Sequence, residues 1–207
     1  MADQTPKFSG FGARTKTPET SGNALRLSEV EVRPYAASDV VNRFRSRRRI
    51  IDGFIRNKAK KSSARFEHKV FCAHRGQSPE VIGFYALQVG GDNVALLPPA
   101  AGESYLRNYA AFPAVHLSYL GVHEDFQRQG LGAFLLMDAL EKVCRISENC
   151  GFYALTLQSL DEQSTAFYSS LNFTAYSGPS DRPKMLYPLA DIRAIIRTSR
   201  GEASFSD

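Results

Sequence analysis

Cysteine occurs only three times in 207 residues and histidine only four times. Cys72, Cys144 and Cys150 are odd in number, and with four scattered histidines they show no zinc-ligand spacing. A disulfide framework and a metal site are therefore not expected, and three reduced thiols in or near a core are. No apolar run reaches the roughly twenty residues that a bilayer-crossing helix needs, and no secretory apolar region opens the chain. Both absences point to a cytoplasmic protein. Two common phosphate loops are missing as well. There is no Gly-x-x-x-x-Gly-Lys-Ser/Thr, and a dinucleotide fingerprint would want a third glycine or alanine at Leu135 and an acid about twenty positions further on.

What is present is an ordinary soluble composition, 43% hydrophobic and 23% charged, able to bury a real core. One domain is expected over residues 24–198, between a disordered tail of residues 1–23, rich in Ser, Thr, Gly and Pro, and a polar tail of residues 199–207. The net charge of +5 is unevenly placed. Nine bases, Arg43, Arg45, Arg47, Arg48, Arg49, Arg56, Lys58, Lys60 and Lys61, stand against the single acid Asp52, so the rest of the chain is slightly acidic. Such a patch suits a polyanionic partner. It also suits a solvated helix whose long stems lie along apolar surface.

Along the chain, Leu25–Arg33 approximates the alternation of a first strand, ended by Pro34. Ser38-Asp39 can cap a short helix through Phe44. Ser46–Ala64 reads as a second helix, with Ile50, Ile51, Phe54 and Ile55 as its apolar stripe. Phe66–His74 and Val81–Gly90 form an expected hairpin that carries Val70, Cys72, Ile82, Phe84 and Ala86 inward, and Ala95–Pro113 reads as a loop with a short helix. Ala114–Val122 is the central strand. In the next helix, Gly132–Ile146, the residues Leu135, Leu136, Ala139, Leu140 and Val143 recur at helical spacing. The strand Phe152–Leu157, parallel to its predecessor across that helix, then a helix Ser164–Ser170 started by Asp161 or Ser164, a strand Met185–Leu189 and a helical fragment Asp191–Thr198 complete the order.

Between the central strand and its helix lies Gln127-Arg128-Gln129-Gly130-Leu131-Gly132. The first turn of a helix holds N–H groups without internal partners and the positive end of the helix dipole, so phosphates bind there. Two glycines alone would indicate a tight turn. In this context, Gln-x-x-Gly-x-Gly resembles the pyrophosphate-binding turn of the GNAT acetyltransferases, which use acetyl-coenzyme A. Leu120-Gly121-Val122 before it and Ala166-Phe167-Tyr168-Ser169-Ser170-Leu171-Asn172-Phe173 after it match the same family in order, with Asn172 in place of that family's glycine. The resemblance implies an α/β (α+β) fold: a single domain with a mixed central sheet of about six strands, a splayed coenzyme-binding edge and flanking helices.

Over Ser38 to Leu189 the chain is further similar to toxin acetyltransferases of bacterial toxin–antitoxin modules, which acetylate the amino group of aminoacyl-tRNA. That likeness rests on the basic segment, Gly83-Phe84-Tyr85-Ala86-Leu87, the strand Leu117–Val122, Val143-Cys144-Arg145-Ile146-Ser147-Glu148-Asn149 and Phe167-Tyr168. Tyr119 departs from it, standing where those toxins often carry Arg. The resemblance implies acetyl-coenzyme A as cosubstrate and no metal. It assigns Leu120, Val122, Gln127, Arg128, Gln129, Gly130, Leu131, Gly132 and Phe167 to the coenzyme. It makes Tyr168 the general acid and the nine bases a tRNA surface, brings in a ribbon-helix-helix antitoxin as a partner, and leaves a homodimer open. Tyr168 read from periodicity alone is better explained as an aromatic packing at a helix end, an order that the motif match reverses. His116, His123 and Glu124 are near enough to act as a base, but an α-amine esterified to tRNA titrates near or below about 8 and none is assigned. Two other readings stand beside this one: acetylation of a protein or small-molecule amine, and a non-enzymatic nucleic-acid-binding partner of an antitoxin.

Overall fold

The computed structural model describes residues 24–97, 109–199 and 201. The expected tail of residues 1–23, the segment Pro98-Pro99 to Asn108 and most of the C-terminal tail lie outside them. Among the described residues, seven strands form one mixed sheet in the order β1-β2-β3-β4-β5-β7-β6. They are β1 (Val30–Pro34), β2 (Lys69–Arg75), β3 (Gly83–Asn93), β4 (Ala111–Val122), β5 (Ala154–Gln158), β6 (Thr174–Ala175) and β7 (Lys184–Pro188). All neighbours are antiparallel except β4 and β5, which the helix between them makes parallel.

That helix is α3 (Leu131–Ile146). Its apolar stripe, Leu135, Leu136, Ala139, Leu140 and Val143, lies in one core with Tyr85, Val115, Leu117 and Leu155 of the sheet and Ile192 and Ile196 of α5 (Leu189–Ser199). Each buried Leu, Ile or Val among them contributes about 1.5–3 kcal/mol by leaving water. On the other sheet face, α1 (Arg49–Asn57) sets Ile51, Phe54 and Ile55 against Phe44, Cys72, Phe84 and Ala86. Gly121 is what lets α1 come so close, since a Cβ there would stand 2.4 Å from the Ile51 Cγ2 and 2.9 Å from Phe84.

Several expectations are corrected. The first strand begins at Val30 rather than Leu25, because a 3-10 turn, Leu27–Glu29, interrupts the alternation. Ser38-Asp39 starts no helix. The Asp39 carboxylate instead accepts from the Ala36 N–H at 2.8 Å and pairs with Arg33 at 2.7 Å, and Val40 bridges to Glu80. The single helix 46–64 is two, α1 and α2 (Ala59–Ala64), broken at Lys58. It starts late because the buried Asp52 accepts from both the N–H and the hydroxyl of Ser46 at 2.7 Å, holding residues 46–48 outside the helix. Ile50 leaves the stripe and is 53% exposed.

The hairpin strand begins at Lys69 because Phe66, at φ 58°, ends α2. There the Glu67 N–H donates to Ser62 O and the Phe66 N–H to Ser63 O, the paired bonds of a Schellman cap. The loop at 95–113 is shorter than expected at its far end, since β4 begins at Ala111, and β6 is an unexpected seventh strand. The other elements fall within three residues of expectation. Asn172 does adopt the left-handed backbone, φ 67°. Of the cysteines, all free, Cys72 is buried and Cys144 half-buried, but Cys150 is exposed rather than near the core.

Candidate active site

The site originates in a strand pair that separates. β4 and β5 are paired only at Ala114–Ala154, Val115–Leu155 and His116–Thr156, although β4 runs on to Val122. The cause lies on the other edge of β4. Its register against β3 slips between Ala86 and Leu87, so Ser118 has no opposite residue, and an extra residue bends the bulged strand. Among the described residues, 117–122 are thereby left without a strand partner on the β5 side, beside a cleft of about 1230 Å³.

At the open end of the cleft stands the glycine turn. Gly130 is the N-cap of α3 at φ 84° and Arg128 precedes it at φ 58°, and both line the cleft with Gly132. The N–H groups of Leu131, Gly132 and Ala133 have no carbonyl one turn back inside the helix, so they form a cradle for an anion. The two glutamines brace this turn. Gln127 Nε2 donates to Ser46 O and to Val122 O, each at 3.0 Å. Gln129 Nε2 donates to Asp125 O at 2.8 Å while its Oε1 accepts from the Leu25 N–H at 2.8 Å. Gln127 borders the cleft, whereas Gln129 and Leu131 do not line it, and the Leu131 side chain is core.

Tyr168 comes from α4 (Glu162–Ser169), which Asp161 starts by accepting from the Ser164 N–H at 2.9 Å in a capping box. Its ring packs edge-on against Phe167 and Phe173, centroids 5.1 and 5.6 Å away. The residue lines the cleft, and its hydroxyl makes no hydrogen bond to the described residues. Burial pushes its pKa above the ordinary 10, so it keeps its proton at neutral pH. Phe167, Leu120 and Val122 line the same cleft, which gathers most of the expected coenzyme residues. An acid with a proton, an unpaired strand edge and an anion cradle make up the parts of a thioester-using acyl-transfer site.

The nine bases are all exposed. Four meet acids: Arg43 with Glu80 (3.5 Å), Arg47 with Glu124 (2.9 Å), Arg48 with Asp161 (2.7 Å) and Arg56 with Asp52 (3.8 Å). Arg45, Arg49, Lys58, Lys60 and Lys61 meet none among the described residues. Arg47 and Arg48 line the cleft, so the patch reaches its mouth.

Of the residues considered as bases, His123 accepts from the Asp125 N–H at 3.3 Å, and Glu124 is held by Arg47. His116 is different, bonded to Thr156 at the closed end of the cleft, where burial lowers its pKa. Sequence reading missed Asp92, Tyr176 and Lys184 altogether. They meet from positions up to 92 residues apart, and no local pattern signals them. No group of His, Cys, Asp and Glu that could hold a metal ion occurs among the described residues, and no helix there is long and apolar enough to cross a membrane.

The sequence profile of the Acetyltransferase (GNAT) family matches residues 40–173, and the chain belongs to that family. It is 29% identical over 156 residues to a probable toxin TacT of Sinorhizobium fredii, covering 70% of this chain and 83% of that one. It is also 28% identical over 159 residues to a tRNA-acetylating toxin of Mycobacterium tuberculosis, covering 77% and 92%. Its fold is similar to that of AtaT complexed with acetyl-methionyl-tRNAfMet, with a TM-score of 0.72, 22% identity, and coverage of 81% of this chain and 99% of that one.

Proposed function

We propose that this protein transfers an acetyl group from acetyl-coenzyme A to the α-amino group of an aminoacyl-tRNA, blocking translation as the toxin of a toxin–antitoxin pair in the cytoplasm. The observation that carries the reading is continuity. Arg47 and Arg48 line the cleft that the anion cradle opens, and Arg49, Arg56, Lys60 and Lys61 follow them on α1 and α2. A tRNA laid on those bases presents its charged 3′ end to the cleft. The names of the two relatives, a probable toxin and a tRNA-acetylating toxin, agree with this.

In the reaction, the cradle at Gly130–Gly132 holds the coenzyme's pyrophosphate, and the free edge of β4 pairs with the pantetheine arm. The α-amine attacks the thioester carbonyl, so a C–N bond forms and the C–S bond breaks. A backbone N–H near Leu120 or Val122 donates to the oxyanion. Tyr168 gives its proton to the departing sulfur, and the proton shed by the amine returns to the phenolate through solvent.

The purified protein should transfer label from acetyl-coenzyme A to total charged tRNA and leave uncharged tRNA unlabelled. Transfer to a protein or small amine, with none to charged tRNA, would overturn the assignment of the acceptor.

A further inference from the structure

Beyond the unpaired edge, where β4 and β5 come together, the cleft is closed by polar side chains that no step above uses. The Lys184 amine reaches both Asp92 oxygens, at 2.9 and 2.8 Å. The Tyr176 hydroxyl donates to the same carboxylate. Asp92 is only 12% exposed, and although burial works against its charge, the Lys184 and Tyr176 hydrogen bonds hold its pKa below the usual range. Beside this group the His116 imidazole bonds to Thr156, which is buried. His116 lies across the strand pair from the exposed Gln88 and rests on Gly90, where a Cβ would stand 2.6 Å from its Nε2. All six of Gln88, Asp92, His116, Thr156, Tyr176 and Lys184 line the cleft.

Their position fixes what they would touch. From Leu120 to His116 the strand extends roughly 13 Å. An acyl chain held at the cradle and laid along this edge carries its thioester toward the closed end. The amine that attacks it must stand there, and the substituent on its α-carbon has the six side chains as its walls. Asp92 and Lys184 cancel each other's charge. A cationic substituent would crowd the Lys184 ammonium and an anionic one the Asp92 carboxylate, and either would have to disrupt a tight pair. An aliphatic or aromatic substituent would strip water from the exposed Gln88 amide and return no hydrogen bond, and sites of this kind reject such ligands strongly.

We infer that the closed end of the cleft is a pocket for the acceptor's own side chain, built for an uncharged hydrogen-bonding one such as that of serine, threonine, asparagine or glutamine. Glycine, which leaves the pocket's water in place, is tolerated. The inference rests on the acetyl-transfer reading of the same cleft.

The test charges one tRNA body in turn with serine, glutamine, isoleucine and phenylalanine, and runs the four free amino-acid amides in parallel. Serine and glutamine should exceed isoleucine and phenylalanine by about tenfold or more in kcat/KM in both series. His116→Leu should shrink that ratio at least about fivefold with acetyl-coenzyme A affinity unchanged. Gln88→Leu, at an exposed position, provides the same readout should the first variant fold poorly. An equal or aliphatic preference, or a ratio that neither variant moves, overturns the pocket. If the amides follow the expected order and no charged tRNA reacts, the pocket stands and the tRNA reading falls. If charged tRNA reacts in another order, the tRNA reading stands and the pocket falls.

Discussion

Replacing Tyr168 with Phe removes one hydroxyl and nothing else. The ring keeps its edge contacts with Phe167 and Phe173, and the hydroxyl has no hydrogen bond among the described residues to lose. Stability should therefore change by no more than about 1 kcal/mol. The rate is another matter. A positioned general acid contributes about 10²- to 10⁴-fold, or about 3 to 5 kcal/mol of barrier. Because burial holds the phenol above its ordinary pKa, it stays protonated through the assay range, and the wild-type kcat should show no fall below about pH 9 from this group. The decisive measurement is single-turnover transfer of labelled acetyl to charged tRNA beside calorimetric binding of acetyl-coenzyme A. The variant should lose at least about a hundredfold in the first and less than about threefold in the second. A kcat within threefold of wild type, or a loss of coenzyme binding equal to the loss of rate, would refute the assignment of Tyr168 as the acid.

Reversing charge at Lys58, Lys60 and Lys61, which have no acidic partners among the described residues, should raise KM for charged tRNA about tenfold or more at 0.15 M salt and flatten its salt dependence. Coenzyme binding and Tm should stay near wild type, and an unchanged KM would detach this stretch from the acceptor. Gly121→Val should cost about 1–3 kcal/mol by driving a Cβ into Ile51 and Phe84, so a melting curve matching wild type would mean that α1 yields. Acid should destabilise the protein through His74, which is buried, with Nδ1 on Glu80 O at 3.1 Å. Burial, with Arg33 nearby, lowers its pKa, so the unfolded chain binds more protons once pH drops through about 6.5, and stability declines below that point. Thermal melts between pH 7 and 5 should fall less steeply for His74→Leu, and parallel falls would clear His74 of the effect.

The parts legible in the sequence are those whose signal is local. The α3 stripe, the glycine turn and Phe167-Tyr168 each announce themselves within a few residues, and Asn172 was readable as a left-handed position because asparagine tolerates it. Phe66 occupies the same kind of backbone, and a phenylalanine gives no warning of that. Asp52 reads as a lone acid in a basic helix until its bonds to Ser46 show it to be the reason the helix starts at Arg49. The bulge at Ser118 depends on how β3 meets β4, and the Asp92–Lys184 pair on four strands converging. These are tertiary facts, and they shape the closed end of the cleft, whereas the glycine turn at its other end was visible from one hexapeptide.

Gln127 Nε2 donates one hydrogen to Val122, where β4 ends, and the other to Ser46, which lies within the basic segment. The two substrates of the proposed reaction are thus tied to opposite hydrogens of a single planar group. If filling one side shifts that plane, linkage obliges the other side to answer by the same factor. Substitution at Gln127 would then alter both dissociation constants together, and its effect would not add to that of a change on either side alone.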